Sequence, residues 1–534
     1  MKDSGPHRLS KTDFISYKEC SKNVWVKWHR PDIYDSSPLS EFERALAEMG
    51  NEVEEVARNM FKDSESRTIG KRSQGAQELT RQLIAEKIPV IFQPVFSTDT
   101  YLAAADVLKW NSEASAYDIY EIKMSSTEEA DDKGKVRVDR KKELQFEYDL
   151  AFQANVIEEC GLKLNKRYLI RLNRNYVRHG DLDYTPGKLF VVEDKTEKII
   201  SFQPIVMAEM KGAYLYLSDE KEPVGSCDCY YRGRSSHCTT FAFNNRTFGV
   251  PEYSVHDLNR IGSSPKLLKE LLDEGMISMD DLNEFDDRLQ PKPAKAGAKQ
   301  PKPRKLNQIK VHRSQKPIIE FDSIRAELDA LQFPLYFLDY ETSPQAIPPF
   351  SGYRPYQHIV FQYSLHVVHE KGAEPEHYEC IILDGDPSER ICQSLKKHIG
   401  PIGSVISWNK TFENSRNKEL GAILPEYKKF FDNLIARTYD LKDIVEYQYY
   451  VHPKFYGRSS IKVVLAALFD KDDISYKTLG VQNGTDAIEA YRQITTGELS
   501  GNAAEQKKKE MLEYCKLDTF AMYRLWKLFA ELVE

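Results

Sequence analysis

LYFLDYETS, residues 335–343, is an apolar run typical of a buried strand, yet it carries Asp339 and Glu341 one residue apart. Side chains at positions i and i+2 of a strand point to the same face, with Cα atoms roughly 6.6 Å apart. Two carboxylates placed in this way repel each other, and both lose solvation if their face is covered. A divalent cation would remove both penalties, whereas an edge strand would simply turn the acids towards water. This stretch alone leaves both interpretations open.

The composition is that of a globular protein with more than one domain. A chain of 534 residues is too long for one core, so two or three domains are expected. Its apolar runs fall well short of 18 residues and its N-terminus is polar, which predicts a cytoplasmic protein without a membrane partner. The net charge of −7 gives no global sign of nucleic-acid binding, and local basic strips carry more weight than the sum.

A basic segment, residues 288–317, divides the chain. It contains ten Lys or Arg, no acid and repeated Pro-Lys steps, which predicts a disordered, flexible linker. Such a linker is either a solvated tether or a strip that follows a phosphate backbone. Before it, residues 251–287 predict two short helices, a small helical hairpin that resembles a helix-hairpin-helix DNA-binding element. Any small helical hairpin would give the same pattern.

The segment separates two larger blocks, residues 1–250 and 318–534. Both mix apolar strands with amphipathic helices, which predicts a mixed α/β or α+β architecture.

The first block contains a predicted hairpin, residues 101–126, that carries charged residues. Its first strand-like run delivers Asp106, and its second delivers Glu121 and Lys123 on one face. Two carboxylates can hold a divalent metal, and a lysine beside them can orient or deprotonate water and neutralise a developing phosphorane charge. The alternative is an exposed hairpin with an ordinary Glu–Lys pair.

The order D-x14-E-x-K resembles the catalytic core of PD-(D/E)XK nucleases. Residues 146–162 resemble the helix that follows this motif in RecB-type nucleases, where a glutamine, here Gln153, packs beside the active site. Residues 49–61 resemble the first helix of that fold, and Glu54 occupies the position that supplies a further metal ligand. A solvated acid on a helix face is the alternative for Glu54.

Cysteines bracket this core. Cys20 precedes it, and Cys227, Cys229 and Cys238 follow within twelve residues, which favours a metal or cluster site. The arrangement resembles the iron–sulfur staple of RecB-type nucleases, including CRISPR-associated ones, in which four thiolates hold a [4Fe–4S] cluster. The late spacing, C-x-C-x8-C, departs from those families, so Zn²⁺ is the second interpretation and unliganded cysteines are the third. His237 could replace one thiolate.

The second block continues with two further motifs after the opening strand. Residues 405–415, VISWNKTFENS, predict a strand that runs into a helix carrying Glu413. Residues 514–529 predict a helix with Tyr514 and Asp518 on one face, at positions i and i+4.

In order and spacing these motifs resemble the DEDD 3′–5′ exonucleases of the ribonuclease H-like fold, in the variant with a tyrosine. That resemblance implies two Mg²⁺ or Mn²⁺ ions held by Asp339, Glu341, Glu413 and Asp518, with Tyr514 orienting the attacking water.

One acid of the second block departs from the exonuclease pattern. Glu413 stands where those enzymes carry aspartate, so processive exonuclease activity does not follow from the resemblance. Asp440 is a spare acid that would compensate. Lys462 is interpreted as a surface lysine, with contact to a phosphate as the alternative.

With both blocks together, the chain resembles a bacterial family of unknown function that is loosely described as RecB-family nucleases. The segments that carry this resemblance are LSKTDFISYKEC, MGNEVEEVAR, DIYEIK, YDLAFQ, CDCYYRGRSSHC, YFLDYETSPQAIPPFSGYRPYQHIVFQYSLH, WNKTFE, HPKFYGRSSIKVVL and YCKLDT. The resemblance implies a metal-dependent nuclease that fuses an iron–sulfur PD-(D/E)XK domain to a ribonuclease H-like DEDD domain. It would act on DNA, as single strands or ends, in repair or in defence against foreign DNA.

Two alternatives to a DNA nuclease remain. One is a nucleic-acid-binding or structural subunit in which one or both nuclease folds are inactive. The other is a nuclease that acts on RNA.

Overall fold

A computed structural model describes residues 7–34, 41–61, 65–70, 75–128, 138–293, 301–469, 476 and 480–534. The chain forms two compact units. Unit 1 comprises Met1–Tyr230, His237–Gly249 and Gln345–Gln357, and unit 2 comprises Tyr231–Ser236, Val250–Pro344 and His358–Glu534. The protein is a mixed α/β protein with several mixed sheets, as the alternation of apolar strands and amphipathic helices predicts. Among the described residues, no helix is both long and apolar enough to cross a membrane.

Unit 1 is built from short strands and eight helices among its described residues. The strands are β1 Leu9–Ser10, β2 Ser66–Thr68, β3 Val90–Phe92, β4 Val95–Ser97, β5 Tyr101–Ala104, β6 Val107–Asn111, β7 Ala116–Ser126, β8 Leu164–Leu172 and β9 Phe190–Asp194. The helices are α1 Lys11–Glu19, α2 Ser21–His29, α3 Pro31–Tyr34, α4 Glu41–Ala57, α5 Ala76–Ala85, α6 Arg140–Glu159, α7 Thr196–Ser218 and α8 Phe241–Asn244.

The main sheet of unit 1 has six strands in the order β2-β3-β6-β7-β8-β9, and a second sheet has the order β1-β5-β4. The predicted hairpin is confirmed for β6 and β7, which pair antiparallel. Its first run is not one strand, because it breaks before β6, so that β5 joins the second sheet and Asp106 lies between the two strands. Strand β8 then pairs parallel to β7, which requires the crossover that α6 provides. Helix α6 begins where the Asp139 side chain accepts hydrogen bonds from the backbone N–H groups of Lys141 and Lys142.

Unit 2 contains the remaining elements. Its strands are β10 Ile318–Ile319, β11 Leu335–Pro344, β12 His358–Val368, β13 Glu376–Ile381, β14 Ser404–Ser407, β15 Thr438–Asp440 and β16 Tyr450–Val451. Its helices are α9 Pro265–Asp273, α10 Arg304–Ser314, α11 Phe321–Asp329, α12 Ser388–His398, α13 Lys410–Ile423, α14 Lys428–Ala436, α15 Asp443–Glu446, α16 Ile461–Leu468, α17 Gly484–Thr495 and α18 Gly501–Val533.

The five-stranded sheet of unit 2 has the order β13-β12-β11-β14-β15. Strand β11 lies at its centre, antiparallel to β12 and parallel to β14. Its side chains alternate between two cores: Leu335 and Phe337 face the core that contains α18, whereas Tyr336 and Leu338 face the opposite one. By this period of two, Asp339 and Glu341 extend the face of Leu335 and Phe337. The predicted buried strand is confirmed, and an edge strand is excluded.

The prediction of a disordered linker over 288–317 is wrong for its second half. Residues 304–314 form α10, in which Leu306 and Ile309 are buried. The apolar side chains at i and i+3 give this helix a buried face despite the basic composition. The side chain of Gln308, also buried, accepts a hydrogen bond from the backbone N–H of Asn259 at 2.7 Å. Residues 294–300 lie outside the described part of the chain.

The predicted hairpin of two helices is also incorrect in its second half. Helix α9 ends as predicted, with Gly275 at a positive φ of 80° two residues later. The second segment is a single 3-10 turn, Met279–Asp281, because Asp281 accepts hydrogen bonds from the backbone N–H groups that precede it, including that of Ser278 at 2.7 Å. Both segments and α10 belong to unit 2 rather than to a separate connector.

Candidate active sites and thiol cluster

The centre of unit 2 contains the acids of the opening strand. The carboxylates of Asp339 and Glu341 and the Sγ atom of Cys515 lie within 4.8 Å of one another. The pairing of β11 with β12 slips at Glu341/Thr342, and such an irregularity re-aims side chains beside functional sites. Cys515, on α18, lies 3.7 Å from Asp339 Oδ2.

Helices α13 and α18 add two further buried carboxylates. Burial raises the pKa of Glu413 well above its usual range, and the charges of Asp339 and Glu341 raise it further. Burial and the charge of Asp518 raise the pKa of Asp339 in the same way. Burial raises the pKa of Asp518 itself to about 6. The four acids predicted from the sequence therefore lie in one region of unit 2, with Glu341, Glu413 and Asp518 buried and Asp339 partly exposed. Among the described residues, the donor group within 4.8 Å holds Asp339 and Glu341 but not Glu413 or Asp518.

Two tyrosines and a lysine border this group. Tyr476 Oη donates a hydrogen bond of 2.6 Å to Asp518 Oδ1. Lys462 Nζ lies 4.9 Å from the ring centre of Tyr476 and 4.8 Å from that of Tyr514. The pKa of Tyr514 is raised by burial and by the charges of Asp518 and Glu341. Lys462, which the sequence analysis interprets as a surface lysine, is thus part of the site.

Asp440 serves the fold rather than the acidic group. Its carboxylate accepts hydrogen bonds of 2.9 Å from the backbone N–H groups of both Asn409 and Lys410. These groups begin α13, so Asp440 holds the end of the helix that presents Glu413. Asp440 is therefore engaged at the start of α13, and it is not a spare acid that compensates for Glu413.

The donor set of unit 2 fits a hard divalent cation. Carboxylate oxygens are the ligands that Mg²⁺ and Mn²⁺ prefer. Among the described residues, the buried Glu413 Oε2 atom has no hydrogen-bond partner. A buried carboxylate oxygen without a donor is costly unless a cation takes that place.

The candidate site of unit 1 is arranged differently. Glu121 is 1% exposed, and its Oε1 atom accepts hydrogen bonds from Lys11 Nζ at 2.6 Å and Lys123 Nζ at 2.8 Å. Its Oε2 atom accepts one from Gln153 Nε2 at 2.6 Å. Lys123 also contacts Asp149 on α6. Burial opposes the charge of Glu121, but the ammonium groups of Lys11 and Lys123 outweigh it and hold its pKa below the usual range.

Asp106 and Glu54 lie beside this arrangement. Asp106 Oδ2 accepts a hydrogen bond of 2.8 Å from the backbone N–H of Ile122, next to Glu121. Glu54 Oε1 accepts hydrogen bonds from Arg58 at 3.0 Å and from Gln93 Nε2 at 2.9 Å. Gln93 ties the two residues together, since its side chain donates to Glu54 and its backbone N–H donates to the backbone carbonyl of Asp106.

The acids of unit 1 offer the carboxylate oxygens that divalent cations prefer, but two lysines hold Glu121. Among the described residues these acids do not form a group of three donors within 4.8 Å of one another as in unit 2, and two ammonium groups contact Glu121. The buried Gln153 Oε1 atom has no hydrogen-bond partner among these residues, so an acceptor remains available beside Glu121.

The four cysteines predicted as ligands come together in unit 1. The Sγ atoms of Cys20, Cys227, Cys229 and Cys238 lie within 4.8 Å of one another, largely buried. The neighbouring thiol of Cys20 lowers the pKa of Cys227, and Asn245 Nδ2 supports a thiolate there by donating across 3.2 Å. This set of soft donors could hold a metal ion or an iron–sulfur cluster. His237 stacks on Phe241 with ring centres 3.5 Å apart, and no substitution for a thiolate is needed.

Four residues of these sites are not identified by sequence reasoning: Lys11, Gln93, Tyr476 and Cys515. Lys11 lies 110 positions from its partner Glu121, and Tyr476 lies 42 positions from its partner Asp518, so no local motif predicts these contacts. Cys515 could have been found from the sequence, because it directly follows Tyr514 on the helix that is predicted to carry site residues.

Comparison with protein families gives one match. Residues 336–460 match the model of a domain of unknown function, DUF2779. The matched region includes Asp339, Glu341 and Glu413 and ends before Tyr514 and Asp518, so it spans part of unit 2 together with the segment Gln345–Gln357 of unit 1. No curated protein matches the chain.

Proposed function

We propose that the protein is a metal-dependent nuclease that hydrolyses DNA phosphodiester bonds, with one candidate active site in each unit. The observation that carries the proposal is the group of four carboxylates in unit 2, three of them buried. A fold tolerates such a concentration of like charge where a cation offsets it. A phosphodiester is the substrate class for which clusters of acids with two divalent cations are widely used. The family resemblance favours a role in DNA repair or in defence against foreign DNA.

The strand order of unit 2 supports a ribonuclease H-like fold. Numbered along the chain from β11, the sheet reads 3-2-1-4-5, with the first three strands antiparallel and the last two parallel to the first. The acids lie on the central strand and on the two helices α13 and α18. This placement is the one that the resemblance to DEDD exonucleases implies.

The element order of unit 1 supports a PD-(D/E)XK fold. Helix α4 precedes β3, β6 and β7, and α6 leads into β8, which pairs parallel to β7. Glu121 and Lys123 lie on β7, at the centre of the sheet, and Asp106 immediately precedes β6. These are the positions that the motif predicts for two metal ligands and a catalytic lysine.

The metal-binding residues have distinct roles in the proposal. In unit 2, Asp339, Glu341, Glu413 and Asp518 would hold Mg²⁺ or Mn²⁺. In unit 1, Asp106 and Glu121 would do so, with Glu54 as a further ligand. The bound cation would acidify water and neutralise charge on the phosphate.

The remaining groups act on substrate or water. Tyr514 would orient the attacking water in unit 2, and the Lys462 ammonium would face the phosphate. In unit 1, Lys123 would orient water, and Gln153 would hold the Glu121 carboxylate in place.

A substrate panel tests the activity. The full chain is incubated with labelled single-stranded DNA, double-stranded DNA and matched RNA, with Mg²⁺, Mn²⁺ or EDTA. We expect cleavage of DNA that depends on the cation and stops in EDTA. Binding that persists in EDTA without cleavage in any cation would indicate a non-catalytic nucleic-acid-binding protein. Faster cleavage of RNA than DNA would change the substrate.

The thiol cluster is proposed to hold a [4Fe–4S] cluster, with Zn²⁺ as the competing occupant. Anaerobically purified protein is expected to be brown and to absorb near the visible charge-transfer region of iron–sulfur centres. The Cys227→Ser, Cys229→Ser double variant should lose both colour and iron, since two of four ligands are gone. The matched control is Cys160→Ser, because Cys160 is exposed and outside the cluster. Colourless protein with stoichiometric zinc would contradict the assignment.

Tyr476 provides a test of the unit 2 site that does not depend on turnover. Removing the hydroxyl in Tyr476→Phe frees the Asp518 carboxylate to rotate, and loss of such an orienting contact typically costs about 10- to 100-fold in metal affinity. Titration calorimetry with Mn²⁺ measures this. Tyr363→Phe is the control, because its hydroxyl contacts Ser394 on the opposite face of the sheet. Equal Mn²⁺ affinities of Tyr476→Phe and the parent would exclude Asp518 as a ligand oriented by Tyr476.

A further inference from the structure

Lys11 reaches the candidate active site of unit 1 from a distant part of the chain. Its Nζ atom lies 2.6 Å from Glu121 Oε1, the same oxygen that Lys123 contacts at 2.8 Å. The Lys11 side chain is 25% exposed, so its ammonium group lies at the boundary between the buried carboxylate and solvent. A substrate that approaches Glu121 from solvent would therefore meet Lys11.

The backbone at Lys11 is held firmly. Leu9 in β1 is fully buried and paired with β5. Ser10 begins α1, and its side chain accepts a hydrogen bond of 3.1 Å from the backbone N–H of Asp13. Phe14 anchors the first turn of the helix in the core at 0% exposure. The ammonium group is thus carried by a flexible four-carbon stem on a rigid base.

The net charge of the unit 1 site differs between the states with and without a bound cation. Without one, Lys11 and Lys123 contact Glu121 and Asp149, and Asp106 adds a third carboxylate that a backbone N–H group holds beside them, so the five groups carry a net charge of −1. A divalent cation on Asp106 and Glu121 neutralises those two acids, and the contact between Lys123 and Asp149 remains neutral. Lys11 is then displaced from Glu121 and is left with one uncompensated positive charge. A phosphodiester carries one negative charge, which would bring the net charge of the site from +1 to zero.

We infer that Lys11 is the residue of unit 1 that binds the scissile phosphate of the substrate. The inference rests on the proposed nuclease function and adds to it a substrate-binding residue outside the D-x14-E-x-K motif. A lysine acts as a mobile point charge towards phosphate, and its stem is long enough to exchange one anion for another nearby. In this account Lys11 keeps Glu121 neutralised until a cation and a phosphate replace it.

The competing role for Lys11 is purely structural, as a counter-ion that keeps Glu121 buried. The two roles differ in what they predict for DNA binding. A counter-ion that never touches phosphate leaves the salt dependence of DNA binding unchanged when it is removed. A residue that binds phosphate releases counter-ions from DNA, so its loss makes the slope of log K against log[salt] shallower by about 0.9 for duplex DNA.

The experiment uses the full chain with the unit 2 site disabled by Asp339→Asn. In that background, Lys11→Met removes the charge at similar side-chain length, and Lys11→Arg retains it. Lys18→Met is the matched control, because Lys18 lies on the same helix and pairs with the half-exposed Glu209. Cleavage of labelled DNA is measured in Mn²⁺, and DNA affinity is measured in Ca²⁺ over a series of KCl concentrations.

We expect Lys11→Met to lower kcat/KM about 100-fold, the usual size of losing one preorganised contact to transition-state charge. It should also make the salt slope shallower, Lys11→Arg should recover most of both properties, and Lys18→Met should change neither. A Lys11→Met variant with parental cleavage and slope overturns the inference and leaves the nuclease proposal intact. A parent that does not cleave, with a slope that still changes in Lys11→Met, overturns the nuclease proposal for unit 1 but keeps the phosphate contact. No cleavage and no change of slope overturns both.

Discussion

Replacing Asp339 with asparagine is expected to make metal-free unit 2 more stable while it abolishes cleavage by that unit. Burial and the charge of Asp518 raise the pKa of Asp339, so its negative charge is unfavourable in the folded state. Because an amide in the same place carries no charge, we expect metal-free unit 2 to gain stability at pH 8, where the carboxylate is most strongly driven to ionise. Cleavage should fall on the order of 10³-fold, equivalent to ~4 kcal/mol of transition-state stabilisation.

Urea-dependent hydrogen exchange of peptides from β11 and β12 measures the stability of unit 2 by itself, in EDTA and in Mn²⁺. Cation at 100 times its Kd should stabilise the parent by about 2.7 kcal/mol and the variant much less. Asp432→Asn is the control, since Asp432 pairs with Lys428 at the surface and its loss should stay within about 0.5 kcal/mol. An Asp339→Asn variant that is less stable than the parent in EDTA would show that the carboxylate is compensated within the fold, contrary to the account.

Replacing Glu121 with glutamine should have the opposite effect on stability. In unit 1 the carboxylate receives Lys11, Lys123 and Gln153, so its removal leaves the largely buried Lys123 with less compensation. Breaking a buried pair on one side typically costs 3–5 kcal/mol, and we expect unit 1 to lose about 3 kcal/mol. The candidate metal ligand is lost as well, so cleavage by unit 1 should stop.

Hydrogen exchange of peptides from β7 and α6 reports this loss. Glu209→Gln is the matched control, because Glu209 pairs with Lys18 in a half-exposed position and should cost less than about 1 kcal/mol. If Glu121→Gln and Glu209→Gln are equally stable, the two lysines do not need the Glu121 carboxylate as a counter-ion, and the prediction is wrong.

The sequence predicts which site residues lie together where they share one face of a single strand or helix. Positions i and i+2 of a strand must share a face, so Asp339 and Glu341 could be paired before the structure was known. Positions i and i+4 of a helix must do the same, which placed Tyr514 beside Asp518. Crowding within twelve residues indicates a metal or cluster site at Cys227, Cys229 and Cys238, whereas Cys20 is assigned to it by the resemblance to the iron–sulfur staple.

Contacts between distant segments could not be predicted in this way. Nothing in the residues around Lys11 indicates that its ammonium group reaches Glu121, because the contact depends on the pairing of β1 with β5. Tyr476 and Asp518 are also far apart in the sequence, and no motif in the sequence links them.

For the basic segment, residues 288–317, composition predicts disorder where the structure has a helix. Its charge and prolines suggested disorder, but a few apolar residues at helical spacing, among them Leu306 and Ile309, are enough to bury one face of α10. Arg304 contacts Glu446, so part of the positive charge is compensated within unit 2. Composition averaged over 30 residues conceals such a short buried face.

We propose that two acidic sites, one per unit, hydrolyse DNA. Cleavage of labelled single- and double-stranded DNA in Mn²⁺ by the parent, by Glu121→Gln, by Asp339→Asn and by the double variant tests both sites together. We predict that each single variant loses part of the activity and that the double variant loses it on the order of 10³-fold or more. A double variant that degrades DNA at the parental rate would contradict the account.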